Sequence, residues 1–354
     1  MKRIIKLKYR IVVLFIEIFT FILIAFLAYN FVVTPKGKKT FYLHSSDIET
    51  LSSTLEKNGY KIFFIDKLLM KFIALPKKGW YSIKDKNKGR FFFFDDLYTQ
   101  KIPSDKLMNI KVFAGETKEE LSKRIANDMK LDKQKLLQQY KYLSRFEEGD
   151  ILAGKYTVAR EADNNTTMDY LFQTSNDNFE KFSKTYCQKY PDFYELKVLI
   201  IIASIIQKES NAIDEMPLIS SVIYNRLEKN MRLQMDGTLN YGKYAHTIVT
   251  PERIKTDISP YNTYKYKGLP PAPLSSVSLD ALKAAYNPKS SNYIFFMLTK
   301  DGTHTFADTY EEHLKNIRTF RKSQEDKNIT EESNTTKNTP LPIKHTTEKN
   351  ETTL

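Results

Sequence analysis

Glu209 stands at the end of an otherwise apolar run, Leu196-Lys-Val-Leu-Ile-Ile-Ile-Ala-Ser-Ile-Ile-Gln-Lys-Glu209-Ser-Asn211. Helical spacings of three, four and seven residues back from it land on Ile206, Ile205 and Ile202, so the carboxyl shares the buried stripe. Apolar surroundings disfavour the anion. The partial negative charge at a helix C-terminus does the same, if the helix stops near Asn211 as the following Asp214-Glu215-Met216-Pro217 suggests. A carboxylic acid kept protonated near neutrality can expel an alkoxide such as a sugar oxygen. The alternative is a structural carboxyl that reaches a neighbouring backbone N–H or Arg226.

The elements that must position this acid change character along the chain. From about 185 to 321 the pattern predicts the Glu209 helix, then a helix over Pro217–Lys229 with proline at its start and Asn230 at its end. A loop region rich in Tyr, Asn, Gly and Pro follows. A helix at Ser278–Tyr286 and a hairpin of Tyr293–Lys300 and Thr303–Asp308, joined by Asp301-Gly302, complete this part.

Residues 40–180 carry a weak internal duplication. Glu49-Thr-Leu-Ser-Ser-Thr-Leu55 aligns with Glu119-Glu-Leu-Ser-Lys-Arg-Ile125, Gly79-Trp-Tyr-Ser-Ile83 with Gly154-Lys-Tyr-Thr-Val158, and Asp95-Asp-Leu97 with Asp169-Tyr-Leu171. Each copy reads as a strand, a short amphipathic helix and a strand opened by glycine, and Phe91–Phe94 reads as a buried strand of the first copy. Two small α+β modules are expected, over residues 40–108 and 109–184, ahead of an α+β catalytic domain over 185–321. The polar segment 322–354 should be disordered.

Residues 1–10 carry Lys2, Arg3, Lys6, Lys8 and Arg10 and no acid, and 11–33 are nearly continuously apolar. At about 1.5 Å per residue that length spans a bilayer. It exceeds the usual apolar core of a cleaved signal and lacks a small-x-small cleavage site. More basic residues precede it than follow it, which predicts a cytoplasmic N-terminus and an exported, periplasmic remainder anchored by one pass in the inner membrane. Glu17 is tolerable near the inner end or pairs with another helix. The net charge of +13 then favours anionic membrane surfaces or envelope polymers over nucleic acid, which an exported domain does not meet. Cys187 is the only cysteine, which excludes an internal disulfide and fits a buried inert thiol.

Four segments of residues 196–321 carry the polar chemistry: Ala203-Ser-Ile-Ile-Gln-Lys-Glu-Ser210; Asn225-Arg-Leu with Met231-Arg-Leu-Gln-Met-Asp-Gly-Thr238 and Asn240-Tyr-Gly242; Ser259-Pro-Tyr-Asn-Thr-Tyr264 with Gly268-Leu-Pro-Pro-Ala-Pro273; and Gly302-Thr-His-Thr-Phe306. Loops of Tyr, Asn, Gln and Thr suit a polyhydroxyl ligand, offering hydrogen-bonding tips and flat faces for pyranose rings. In order and spacing these segments resemble the endolytic murein transglycosylase family (MltG, YceG-like). The likeness is looser over 40–180, where that family carries LysM-like modules. The chain departs from the family pattern at Gly237, where many members have proline, at Leu274 and Ser275, and at Ile151-Leu-Ala-Gly154, where a Phe-Pro step is usual.

The resemblance implies that Glu209 is the catalytic acid of a lyase. It would cut the β-1,4 bond between N-acetylmuramic acid and N-acetylglucosamine inside nascent glycan strands and leave 1,6-anhydro ends, terminating elongation. Peptidoglycan synthases or division and elongation proteins are then implied as partners. Hydrolytic glycosidases generally need two carboxylates, whereas here one residue would protonate the leaving oxygen and then deprotonate the sugar's own 6-hydroxyl. Asp236 is the candidate second carboxylate, in a supporting role, holding a sugar hydroxyl or orienting Thr238 and Tyr241. Gln234, Tyr261, Asn262 and, by their motifs, Asn225, Thr238, Tyr241 and Thr263 are candidate substrate-binding residues. His304 either contacts substrate or makes a structural hydrogen bond. No metal or cofactor is implied, since the five histidines form no ligand-spaced pair.

Rival readings are a hydrolytic muramidase, with Asp236 activating water, and a non-catalytic peptidoglycan-binding scaffold built on the repeated modules. Asn328, Asn334 and Asn350 each begin an Asn-x-Thr acceptor with an acid two residues earlier, as does Asn165. They are candidate glycosylation sites of the extended form used by some bacterial oligosaccharyltransferases.

Overall fold

A computed structural model describes residues 2–32, 36–84, 89–187 and 189–322. The candidate acceptors Asn328, Asn334 and Asn350 lie outside the described residues, as do Met1 and Val33 of the anticipated N-terminal segments. Helix α1 (Lys2–Leu27) continues into a π-helical turn, Ala28–Val32. Within it Lys8–Phe31 is the one described helical stretch long and apolar enough to cross a bilayer, and none of its apolar window is buried in the protein.

Two β-α-α-β units follow. The first comprises β1 (Thr40–Leu43), α2 (Ile48–Lys57), α3 (Phe64–Leu69) and β2 (Gly79–Ser82), with β1 and β2 antiparallel from Thr40↔Ser82 to Leu43↔Gly79. Helix α4 (Arg90–Asp96) comes next. The second unit comprises β3 (Leu107–Val112), α5 (Lys118–Met129), α6 (Lys133–Leu143) and β4 (Gly154–Ala159), with β3 and β4 antiparallel from Leu107↔Ala159 to Val112↔Gly154. The duplicated glycines Gly79 and Gly154 open equivalent strands. Each unit has two helices where one was expected.

Phe91–Phe94 lie in α4, not in a strand. Phe93 and Phe94 are buried and Phe92 is exposed. A run of four phenylalanines carries no periodicity, so tertiary contacts decided its conformation. The two units are not separable beads. Trp80 of β2 packs in the core of the second unit and donates Nε1–H to the Thr157 carbonyl at 2.8 Å.

Helix α7 (Asn164–Tyr186) has its N-terminal half, Met168 to Phe172, in the second unit's core, and Phe179 and Phe182 in the core of the following domain. The expected boundary at 184/185 therefore falls inside a helix that serves both. Asn165 is exposed in its first turn while Thr167 is buried, so regular helix occupies that acceptor tripeptide.

The remaining domain is built on α8 (Phe193–Glu209), α9 (Met216–Glu228) and α11 (Leu279–Tyr286), with a short α10 (Pro251–Thr256) between. Asp192 caps α8, accepting from the Tyr194 and Glu195 N–H groups, and Glu195 reaches back to the Asp192 N–H. Ile200, Ile202, Ala203, Ile205 and Ile206 of α8 are at 0% exposure among residues of α9 and α11, which fixes the helix firmly. Asn230, just past α9, takes the left-handed conformation at φ 54°.

Strands β5 (Phe295–Leu298) and β6 (His304–Ala307) form the anticipated hairpin. Its turn is longer than a two-residue Asp-Gly connection. The Gly302 N–H bonds the Thr299 carbonyl, and Gly302 sits at φ +82°, a geometry that bulges the ladder and favours glycine. A helical run over 310–322 follows. Cys187 is half-buried rather than buried, and burial still pushes its thiol pKa up.

Candidate active site

Glu209 is the last residue of α8; Ser210 is extended and ends the helix. The end is tied down on three sides. Lys208 Nζ donates to the Gly115 carbonyl at 2.8 Å, Gln207 Oε1 accepts from the Ser278 N–H at 3.2 Å, and Ser204 Oγ accepts from the Leu274 N–H at 3.0 Å. Backbone bonds of 2.8 Å from Gly115 to Ser276, Ser276 to Glu116 and Ala153 to Val277 seal the second unit against the same domain.

The sequence 233–238 passes over this helix end. The Gly237 N–H donates to Glu209 Oε1 at 2.9 Å. A Cβ on Gly237 would lie 2.7 Å from that oxygen and 2.7 Å from Lys208 Cβ, so glycine permits the close approach. Burial pushes the Glu209 carboxyl up to about 7; the Gly237 N–H opposes this, the Asp236 charge adds to it, and the Arg226 charge opposes it. Arg226 makes no ion pair with Glu209. Its guanidinium donates to the Ile294 and Leu233 carbonyls, each at 2.6 Å, and to Arg232 at 3.3 Å, and lies 5.4 Å from the Phe295 ring centre.

Glu209 opens into a cleft of about 310 Å³ lined by Arg226, Leu233, Gln234, Met235, Asp236, Tyr264, Phe296, Met297, Leu298 and His304. Of the candidate residues, Gln234, Asp236 and His304 thus join Glu209. Asp236 is exposed and accepts the Tyr264 hydroxyl at 2.6 Å. Burial and the Asp236 charge push that phenol's pKa well up, so it stays a donor. Gln234 holds φ +50° while its N–H bonds the Thr263 carbonyl at 3.2 Å. His304 lines the cleft, but its Nδ1 and backbone N–H both meet the Glu215 carboxylate at 2.7 Å, which docks the hairpin on the start of α9.

The other candidates are spent on structure. Asn225 Nδ2 donates to the Ser291 and Tyr293 carbonyls at 2.8 and 2.9 Å, holding the approach to β5. Asn262 is fully buried and donates to the carbonyls of Ile254 and Asp257 at 2.9 and 2.8 Å. Thr238 and Thr263, also buried, share a 2.9 Å hydroxyl bond beneath the 3-10 turn Asp236–Leu239. Tyr241 and Tyr261 stack on each other at 4.3 Å and 11°, outside the cleft lining. None of them is among the residues that line the cleft.

Arg226, Tyr264 and Phe296–Leu298 were not anticipated as site residues. The first two sit inside the quoted motifs, so position in the motif was the available signal. The strand residues carried none.

The site offers a carboxyl raised to about 7 at a helix end, one exposed carboxylate restrained by a tyrosine, and an apolar wall from β5. That set suits acid catalysis on a polyhydroxyl chain. Residues 44–319 match the model of the YceG-like family. The chain is 35% identical over 131 residues to an endolytic murein transglycosylase of Bacillus subtilis, covering 36% of each chain. It is 30% identical over 176 residues to that of Streptococcus pneumoniae serotype 2, covering 48% of this chain and 31% of the relative. The aligned part therefore spans about a third of the curated relatives' length. A crystal structure of a yceG-like protein from Listeria monocytogenes shares the fold, with TM-score 0.50 and 24% identity over 79% of this chain and 99% of that one.

Proposed function

The chain belongs to the YceG-like family, and on that premise we propose that it is an endolytic lytic transglycosylase of peptidoglycan. The bond cut is the β-1,4 link between N-acetylmuramic acid and N-acetylglucosamine within nascent glycan strands. The new ends are 1,6-anhydro-muramoyl, and the cut terminates strand elongation. The observation that carries this reading is Glu209, a carboxyl pushed up to about 7 at the edge of a sugar-sized cleft.

Glu209 protonates the departing glycosidic oxygen as the anomeric carbon gains oxocarbenium character. Its carboxylate then takes the proton from the 6-hydroxyl of the same muramic acid residue, whose oxygen closes onto the anomeric carbon. The proton count closes without water. Asp236 and Gln234 hold sugar hydroxyls, and the wall of Phe296 and Met297 excludes solvent from the reacting ring.

Two further assignments complete the reading. The β-α-α-β units serve as LysM-like modules that hold the glycan strand. The span Lys8–Phe31 anchors the protein with its N-terminus inside and its catalytic domain on the outer face of the cytoplasmic membrane, beside peptidoglycan synthases. A hydrolytic muramidase is less well supported, because the Tyr264 hydroxyl already occupies an oxygen of Asp236, the carboxylate that would activate water.

The test is a digest of uncrosslinked glycan strands by the full-length chain in detergent, beside its Glu209→Gln variant, read by mass spectrometry. Anhydro ends from the wild type alone are expected. Ordinary reducing ends would make it a hydrolase, and equal products from both proteins would remove Glu209 from the chemistry.

A further inference from the structure

We propose that the outer face of α3 and the residue runs flanking it form a seat in the bilayer interface, taking anionic phospholipid beside the span. The inference is independent of the catalytic reading. Phe64 and Phe72 are 80% and 82% exposed, and Phe63, Ile65, Leu68 and, on α4, Phe92 are also exposed. Single exposed apolar residues are ordinary, whereas a contiguous set of this size marks a binding surface. Between Lys61 and Ile73 the only acid is Asp66, and it is fully buried. The exposed charges in that stretch are the cations Lys61, Lys67 and Lys71. Aromatic and aliphatic side chains ringed by lysines are the composition of a surface that lies in the headgroup region.

The fold places this face at the right depth. Arg90 donates to both oxygens of Asp66, at 2.7 and 2.5 Å, clamping α4 to α3. The Tyr29 hydroxyl donates to the same carboxylate, and the Phe91 N–H donates to Asn30 Oδ1 at 2.9 Å. The Phe26 and Phe91 rings lie 6.4 Å apart. Phe26, Tyr29 and Asn30 all belong to the apolar stretch Lys8–Phe31. The first turn of α4 therefore meets the span within its own hydrophobic length, and α3 is locked beside it. A second copy of the chain is the competing occupant; continuity with the span favours lipid, as do the three lysines around α3, which outnumber the exposed Asp95 beside Phe92 on α4.

The test places tryptophan singly at Phe64→Trp and Phe72→Trp in the full-length protein. The protein is reconstituted in phosphatidylethanolamine–phosphatidylglycerol vesicles with or without brominated acyl chains. Native Trp80, 2% exposed, supplies a constant background, and Tyr310→Trp, at a site 60% exposed, is the water-facing control. Bromine is expected to remove about half or more of the added emission at 64 and 72 while leaving the control unchanged, as interfacial insertion requires. Replacing phosphatidylglycerol by phosphatidylcholine is expected to reduce that quenching. Emission quenched by aqueous iodide and indifferent to bromine would overturn the proposal. Shielding from both quenchers would overturn it too, and assign the face to a protein partner.

Discussion

The backbone N–H of Gly237 and the carboxyl of Glu209 meet at 2.9 Å across 28 residues of sequence. The contact tunes the acid in the direction opposite to burial, since it stabilises the anion. The carboxyl is thus raised to about 7 and not beyond, which lets one group donate a proton and take one back near neutral pH.

The sign of the pH dependence follows. The proposed cleavage requires the protonated acid, so the rate is expected to fall as pH rises through about 7. Glu209 also binds its proton more tightly folded than unfolded. Its favourable contribution is complete below the carboxyl's ordinary value of 4.5 and is lost as pH rises through about 7. The Glu209→Gln variant should therefore gain stability relative to wild type between pH 5 and 8, by on the order of 2–3 kcal/mol. Urea unfolding of both proteins across that range checks it. The Glu148 carboxyl, pushed up to about 8 by burial, is common to both and cancels.

Gly237→Ala puts a methyl where only 2.7 Å is open to Glu209 Oε1 and Lys208 Cβ. Overpacking of this kind costs about 1–3 kcal/mol. Because one colliding atom is the acid itself, kcat is expected to drop about tenfold or more while KM changes little, as for an interaction expressed in the transition state. Steady-state assay on glycan strands together with thermal unfolding separates the two effects.

Asp236→Asn and Tyr264→Phe distinguish support from catalysis. Tyr264→Phe removes the 2.6 Å bond to the carboxylate and Asp236→Asn removes its charge, and each is expected to slow cleavage by about 10- to 100-fold with anhydro ends retained. A loss on the scale of Glu209→Gln for Asp236→Asn alone would instead make Asp236 a catalytic carboxylate.

Arg226→Lys should be costly although no charge is lost. The guanidinium bonds carbonyls of residues 232, 233 and 294 from a nearly buried position, and an ammonium cannot reproduce that planar fork. Carbonyls left unpaired suggest a loss of about 2–4 kcal/mol, measured by denaturant titration.

The elements most legible in the sequence were those whose patterns are local. The isoleucines before Glu209 and the Asn230 stop are set within a turn or two of helix, and they appear where the spacing puts them. The phenylalanines 91–94 carry no period, so nothing local distinguished helix from strand. Of the candidate site residues, the structure brings Glu209, Gln234, Asp236 and His304 to one cleft. Asn225, Thr238, Asn262 and Thr263 stand outside that cleft lining for one reason: side chains that look free to bind sugar satisfy nearby backbone groups. The Phe296–Leu298 wall reaches the cleft only through long-range packing, which a linear pattern does not display.

Helix α7 belongs to two hydrophobic cores at once, and Trp80 stitches the first unit to the second. The end of the molecule nearest the span and the cleft are thus joined through packed cores and a shared helix, not through a linker alone. With the span in a bilayer and Glu209 acting on glycan strands, as proposed, this packing works as a gauge, setting the height above the membrane at which a strand would meet the acid.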